Sequence, residues 1–484
     1  EAEIIIGAAF DATLENEVRV TVVATGIGRA ASQGLRVVEA APAVVARPQV
    51  SAQVVQGATR QVASPDVSRP DYSQYDKPTK LPTELVAEIS RVTAQAFTAW
   101  REARQGNAYP IFQPYLQKIV ELNQKVADIL GYEEHPYDAL LDEFEPGMTT
   151  SQTAALFDTL KAGLVPLVRE ISERGKPVDD GFFSKDYATA KQWDFTLAIL
   201  REIGYDFQRG RQDLAPHPFT TNFSCNDVRL TTRFLVNRPQ SAVFSSVHEG
   251  GHALYELNIP ERFERTALSG GATYGIHESQ SRMWENIVGR SRSFWKHYLP
   301  IFRAFFPEAL EGITLEQFYR AINKVQPDFI RVEADEVTYN LHIFVRFELE
   351  QALLTGKLAV ADVPEAWNAK YREYLGITPK TDSEGCLQDM HWANGIFGYF
   401  PTYTIGNVIS AQLYRRAKAE IPGLEDGFAE GQFAPLLGWM RDHVHTHGAK
   451  FTAKELLERE LGEELSAQPL LTYLRERYTE VYEL

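Results

Sequence analysis

Two histidines four residues apart flank a glutamate in the stretch "SSVHEGGHALYE", residues 245–256. On a helix, His248 and His252 share one face and can bind the same metal ion. Glu249 follows His248 directly and can point toward a water molecule on that ion. A catalytic zinc site uses three protein ligands and keeps one position open. The motif therefore predicts two ligands and a base, and it requires a third ligand from elsewhere in the chain.

The third ligand is expected from the next helical stretch, "GIHESQSRMWENIVGR", residues 275–290. Glu278 would complete the His, His, Glu set of thermolysin-like enzymes. The same stretch also offers His277 and Glu285, so spacing alone does not choose among the three. The alternative is a surface helix with a hydrogen-bonded histidine pair, and an exposed carboxylate near a helix start.

Two glycines, Gly250 and Gly251, lie inside the motif. Each weakens a helix interior by about 1 kcal/mol relative to alanine. A metal that bridges the flanking histidines makes this cost tolerable in a large domain. Glycine also lets backbone or substrate approach closely, which is a reason to find it beside a metal.

The elements that must position these residues begin near residue 81. Apolar residues recur there at steps of three and four, first at Leu85, Ile89, Val92, Ala96 and Trp100. Pro82 and Thr83 mark the entrance of this helix. Strand patterns are scarce beyond this point, and the exception is "NDVRLTTRF", residues 226–234. The pattern predicts a mainly α domain with one small β-sheet.

Further signals predict where individual helices start and stop. Thr314 and Gln317 form a capping box that opens one helix. Pro364 starts another, which Gly376 ends. The stretch 330–356 contains no breaker, so we predict one long buried helix there.

The N-terminal part of the chain has a different pattern. "EIIIGAAF", residues 3–10, and "EVRVTVVATGI", residues 17–27, predict two strands. Residues 29–80 lack helical or strand periodicity and are typical of a linker. We therefore predict an atypical N-terminal segment over residues 1–80 and a helical domain over residues 81–484.

Composition limits the classes of partner. The 484 residues carry a formal net charge of −16, which disfavours nucleic acid because phosphate binding needs a basic face. No membrane span and no secretory signal are predicted. The two cysteines, Cys225 and Cys386, are too few for a thiolate zinc site and favour a reducing, cytoplasmic location.

Several separated motifs together resemble the carboxypeptidase Taq family of metallocarboxypeptidases. In chain order they are "HPF" at 217–219, "DVRLT" at 227–231, "HEGGH" at 248–252, "HESQ" at 277–280, "IRVEAD" at 330–335, "GCLQDMHW" at 385–392 and "GYFPTYTIGN" at 398–407. The resemblance covers about residue 80 to the C-terminus. It implies a large helical zincin-like metallopeptidase with a deep cleft, found in the cytoplasm as a homodimer.

The same resemblance implies roles for the residues of the metal motif. His248, His252 and Glu278 would bind one divalent ion, most simply zinc, with cobalt as an alternative. Glu249 would act as general base. The developing oxyanion needs a donor besides the metal. We expect that donor among three residues: His277, Tyr399 and Tyr403.

A carboxypeptidase must also hold the free α-carboxylate of its substrate, which a bidentate arginine does best. The resemblance points to Arg331 as this clamp; the structural alternative is an ion pair with Asp335, four residues along a helix. Arg229 is a second candidate, on a strand that could accept an extended peptide by edge pairing. His391 lies in the motif "GCLQDMHW". It is expected either to contact the substrate directly or to support residues that do.

The first 27 residues do not fit this family. They resemble the closing strand pair of the tubulin-like cell-division GTPase FtsZ, but the nucleotide loop of that GTPase is absent from the sequence, so no GTP binding is expected. A fused segment foreign to the family is favoured over a natural replacement that packs on the helical body.

The sequence thus predicts a metal-dependent carboxypeptidase that acts on peptides with broad specificity. Two alternatives stay open. One is an endo-acting oligopeptidase of the helical zincin type, which would need no carboxylate clamp. The other is a non-catalytic interaction protein, which would not need an intact metal site.

Overall fold

A computed structural model of the chain describes residues 3–9, 19–25, 77 and 79–484. The chain divides into two compact units, residues 1–65 and 66–484. In the first unit, strands β1 (Glu3–Ala9) and β2 (Arg19–Thr25) pair antiparallel, as the alternation predicts. The linker-like stretch predicted for residues 29–80 lies almost wholly outside the described residues.

The second unit is mainly α-helical. Its first half contains helices α1 (Thr83–Gly106), α2 (Tyr109–Leu130), α3 (Pro136–Leu141), α4 (Thr150–Arg174), α5 (Thr189–Glu202), α6 (Pro239–Leu257) and α7 (Tyr274–Arg282). Its second half contains α8 (Arg292–Phe305), α9 (Leu315–Ile322), α10 (Tyr339–Leu354), α11 (Val363–Leu375), α12 (Pro401–Glu420), α13 (Leu424–Phe428), α14 (Ala434–His443), α15 (Ala453–Leu461) and α16 (Gln468–Tyr482). No described helix combines the length and apolar character that crossing a bilayer requires. The predicted mainly α architecture with one small sheet is confirmed for the second unit.

The structure contains the helix predicted from Leu85 onward and the helix boundaries predicted at Thr314, Pro364 and Gly376. Helix α1 buries most of the predicted apolar face. Thr314 and Gln317 form both bonds of a capping box at the start of α9. Helix α11 has Pro364 in its first turn and ends at Gly376, whose φ of 72° is left-handed.

The single long helix predicted over residues 330–356 is wrong. Only a short 3₁₀ turn, Arg331–Glu333, forms before α10 starts at Tyr339. The Asp335 carboxylate accepts hydrogen bonds from the backbone N–H groups of Val337 and Thr338, so it competes with a helical path. Arg331 and Asp335 are therefore not stacked on one helix.

The small sheet lies beside helix α6. Strands β3 (Gln212–Leu214), β4 (Thr220–Ser224) and β5 (Asp227–Thr232) form it in the order β3-β5-β4, with β4 antiparallel to β5. The predicted strand is β5, and it is central. Edge pairing of a peptide with β5 is therefore wrong, since within this sheet the outer strands are β3 and β4.

Candidate active site

Two helices bring together the three side chains that the sequence predicts as metal ligands. His248 and His252 extend from α6, and Glu278 extends from α7. The Glu278 Oε2 atom lies 3.7 Å from His248 Nε2 and 3.3 Å from His252 Nε2. One ligand atom from each residue falls within 4.8 Å of the others, the only such His, Cys or carboxylate group among the described residues. Two imidazole nitrogens and one carboxylate oxygen fit a divalent ion of the zinc type.

The other ring nitrogen of each histidine faces a protein partner. His248 Nδ1 lies 2.9 Å from Glu285 Oε2, and His252 Nδ1 lies 2.6 Å from His277 Nδ1. Glu285 belongs to a π-helical turn, Met283–Val288, that continues α7. These contacts place His277 and Glu285 behind the histidines and Glu278 between them, which favours Glu278 as third ligand.

Each carboxylate oxygen of Glu278 accepts a hydrogen bond from a neighbouring side chain. Its Oε1 accepts from Arg282 Nε at 2.7 Å, and its Oε2 accepts from Ser281 Oγ at 3.0 Å. Burial alone would raise the pKa of Glu278, but the charges of Arg282 and His248 outweigh it and hold the pKa well below 4.5. A Cβ at Gly406 of α12 would lie 2.7 Å from Glu278 Cβ, so only glycine permits this approach.

Glu249 lies next to the cluster and is buried. Its Oε2 accepts from Thr220 Oγ1 at 2.7 Å, so strand β4 fixes the orientation of the carboxylate. Burial raises the pKa of Glu249 above its usual 4.5, which makes the carboxylate a stronger base.

Arg331 lies in a buried ionic network. Its Nη2 donates to Asp389 Oδ1 at 2.8 Å and its Nη1 donates to the Tyr339 hydroxyl at 2.9 Å. Arg346 donates to the other Asp389 oxygen at 2.6 Å. The partner of Arg331 is thus Asp389, and the expected alternative pairing with Asp335 is wrong.

Aromatic residues connect this network to the group of His248, His252 and Glu278. The Arg331 guanidinium lies 5.0 Å from the Tyr403 ring centre, and the Arg282 guanidinium lies 4.1 Å from that of Tyr339. Tyr399 packs on Tyr403 at 5.3 Å between ring centres. Burial, and next the charge of Glu278, raises the pKa of Tyr399, so its hydroxyl keeps the proton at neutral pH.

His391 lies beside the same tyrosines. Its Nε2 is 3.4 Å from the Tyr403 hydroxyl, and its Nδ1 is 3.9 Å from Asp389 Oδ1. Burial lowers the pKa of His391 to about 4, so the ring is neutral at pH 7. Arg229, in contrast, is solvent-exposed and donates from two nitrogens to Asp227 at 2.7 Å each.

Several residues of the site are not among the candidates predicted from the sequence. They are Thr220, Asn222, Glu256, Arg282 and Tyr339. Arg282 and Glu256 lie four residues after Glu278 and His252, so helical spacing could have found these two. The strand residues reach the site only through the packing of β4 on α6.

The chain is similar to known proteins over most of its length. The family model "Carboxypeptidase Taq (M32) metallopeptidase" matches residues 39–478. Carboxypeptidase 1 of Bacillus subtilis is 43% identical over 409 residues, which cover 84% of this chain and 82% of that protein. Thermostable carboxypeptidase 1 of Thermus thermophilus is 43% identical over 418 residues, with the same two coverages.

Solved structures agree with this relationship. The M32 carboxypeptidase from Deinococcus radiodurans R1 has a TM-score of 0.82 and 44% identity, with 86% of each chain covered. Trypanosoma cruzi metallocarboxypeptidase 1 has a TM-score of 0.78 and 31% identity, with 84% of each chain covered. A divalent metal ion is implied by the metallopeptidase family. The chain is a metallocarboxypeptidase that belongs to the carboxypeptidase Taq (M32) family.

Proposed function

We propose that this enzyme removes C-terminal residues one at a time from peptides of broad sequence, with Glu249 as general base. The observation that carries the proposal is the group of His248, His252 and Glu278 directly beside a buried carboxylate. When bound there, a divalent ion would polarise the scissile carbonyl and lower the pKa of water. Zinc suits two imidazoles and one carboxylate best, and cobalt fits the same donors.

The protein residues supply the proton transfers. Glu249 accepts a proton from the attacking water and delivers it to the leaving amine. The hydroxyls of Tyr399 and Tyr403 are the proposed donors to the developing oxyanion. Both lie in the aromatic group that spans Arg331 and Glu278.

Arg331 is the proposed clamp for the substrate α-carboxylate. An arginine has five N–H donors, and the described contacts of the Arg331 side chain engage Nε–H, one Nη1–H and one Nη2–H. One N–H on each terminal nitrogen is then left, and we propose that these two bind the substrate carboxylate. Asp389 and Tyr339 hold the guanidinium in place.

A pair of peptides tests the proposal: one with a free C-terminus and its C-terminally amidated twin. We expect stepwise release of single residues from the free peptide. Substituting Arg331→Met should lower kcat/KM for this peptide by about 10- to 150-fold, the value of a charge-assisted bond of about 1.5–3 kcal/mol. Hydrolysis of the amide should stay slow in both proteins.

The same pair of peptides also shows whether Arg331 or Arg229 binds the substrate carboxylate. Asp389 keeps its bond to Arg346 in the Arg331→Met variant, so no buried carboxylate loses all its partners. If Arg229→Met removes the preference for the free peptide instead, Arg229 is the clamp. Equal cleavage of both peptides by the unmodified enzyme would indicate an endo-acting oligopeptidase.

Metal removal should abolish hydrolysis and destabilise the fold. A metal present at 100 times its Kd stabilises the native state by about 2.7 kcal/mol, so a chelator should lower the Tm. Added zinc should restore both activity and Tm. A chelated protein that keeps its full activity, with metal analysis showing none bound, would contradict the metal-dependent mechanism.

The cytoplasm is the proposed location, and peptides are the proposed substrates there. Both cysteines are free and buried, which suits a reducing compartment. A homodimer is proposed from the family resemblance alone. Sedimentation of the purified chain would test it.

A further inference from the structure

A chain of hydrogen bonds leads away from His252 toward strand β4. His252 Nδ1 lies 2.6 Å from His277 Nδ1, and His277 Nε2 lies 2.8 Å from Glu256 Oε1. The other Glu256 oxygen accepts from Asn222 Nδ2 at 2.7 Å. Glu256 Oε1 also accepts from the backbone N–H of Gly271 at 3.1 Å. Helices α6 and α7, strand β4 and the loop at Gly271 are thus joined through one buried carboxylate.

The direction of each bond in this chain follows from His252. Its Nε2 faces Glu278 Oε2 and must present a lone pair to a metal, so its Nδ1 carries the proton. His277 Nδ1 must then accept, which places the His277 proton on Nε2. That proton is donated to the Glu256 carboxylate. Only this pair of tautomers satisfies every contact while both rings stay neutral.

The carboxylate at the end of the chain is well suited to this role. Glu256 is buried, and its only ion-pair partner within the described residues is His277. No described lysine or arginine forms an ion pair with it, so its hydrogen-bond partners among the described residues are the neutral donors of His277, Asn222 and Gly271. Packing also fixes His277, since its ring lies 5.1 Å from that of Tyr255.

Strand β4 contacts two carboxylates of α6, those of Glu249 and Glu256. Thr220 and Asn222 are two residues apart, so their side chains extend from the same face of the strand. Thr220 reaches Glu249 and Asn222 reaches Glu256. Strand β4 therefore positions the proposed base, Glu249, and also Glu256, which is linked through His277 to the proposed metal ligand His252.

We propose that His277 and Glu256 are positioning residues that hold His252 in the metal-binding tautomer and connect it to β4 through Asn222. The proposal rests on the assignment of His252 as a metal ligand in the proposed function. It gives His277 a role behind the metal in place of the oxyanion donor expected from sequence, since both its ring nitrogens already have protein partners.

The test uses full-length protein loaded with Co²⁺, whose histidine ligands give strongly shifted, exchangeable ¹H NMR signals from their ring N–H groups. The unmodified protein should show two such signals, from Nδ1–H of His248 and of His252. His277→Phe keeps an aromatic ring but removes the acceptor, so the His252 signal should be lost to solvent exchange. The Co²⁺ Kd, measured by chelator competition, should rise about 10- to 100-fold.

Glu256→Gln is the more conservative variant, and it should raise the Kd with little change in the Tm of the metal-free protein. Glu145→Gln is the matched control. The Glu145 carboxylate is also buried and accepts from the backbone N–H of Gly275 in α7. It takes no part in the hydrogen bonds that link His252, His277, Glu256 and Asn222. Burial raises the pKa of Glu145 to about 8, so the substitution leaves its charge unchanged at pH 7.

The outcomes separate the two proposals. An unmodified protein without shifted histidine signals would overturn the ligand assignment itself. If that protein shows both signals and both variants keep them with a Kd within twofold, the positioning role alone is wrong. An equal rise in Kd for Glu145→Gln would also overturn it, because general loosening of α7 would then explain the effect.

Discussion

Glu249→Gln is expected to lower kcat for a free peptide by about 10³-fold, within the range for a lost general base. The amide has nearly the shape of the carboxylate and can still accept from Thr220 Oγ1, so the fold should not change. It cannot take up a proton from water at neutral pH. The metal content should equal that of the unmodified enzyme, because Glu249 supplies none of the three grouped ligand atoms.

Glu261→Gln is the surface control for this experiment, since Glu261 is exposed at the end of the loop after α6. It should retain the full kcat. Kinetics must be measured together with bound metal, so that loss of the ion is not mistaken for loss of the base. A metal-loaded Glu249→Gln enzyme that turns over at the original rate would show that another group removes the proton.

The parts of the fold that sequence predicted are those decided by neighbouring residues. Capping at Thr314 and helix termination at Gly376 depend on side chains within a few positions, and both are present. The break before α10 was missed although it is also local. Residues 330–355 contain no glycine or proline to end a helix, but the Asp335 carboxylate bonds the backbone of the next turn.

The site was predictable only as far as spacing along a helix reaches. His248, His252 and Glu249 follow from one motif, but His277, Glu278 and Glu285 could not be ranked by spacing. Their ranking depends on how α7 crosses α6 and on the π-helical turn that directs Glu285 to His248. Contacts from β4 were out of reach, because Thr220 and Asn222 lie 29 and 34 residues from their carboxylate partners.

The glycine pair of the motif gives a prediction about that crossing. A Cβ at residue 251 would lie 2.6 Å from Ser281 Cα and 2.7 Å from the Gln280 carbonyl oxygen. Both atoms are backbone, so Gly251→Ala must push α7 away from α6. Overpacking of this kind costs about 1–3 kcal/mol. Since α7 carries Glu278, a shift approaching 1 Å should also lower kcat/KM by about 10²-fold.

Gly250→Ala is the matched control one position earlier on the same helix. There a Cβ would meet Leu200 Cδ2 at 2.7 Å and Ile203 Cδ1 at 3.4 Å, which are the ends of flexible side chains. Alanine also favours a helix interior over glycine by about 1 kcal/mol, which offsets the repacking. We expect a Tm and a metal Kd close to those of the unmodified protein for Gly250→Ala, and a clear loss of both stability and metal affinity for Gly251→Ala. Equal effects of the two substitutions would mean that the glycines are required for the conformation of α6. Close contact between α6 and α7 would then not set the position of Glu278.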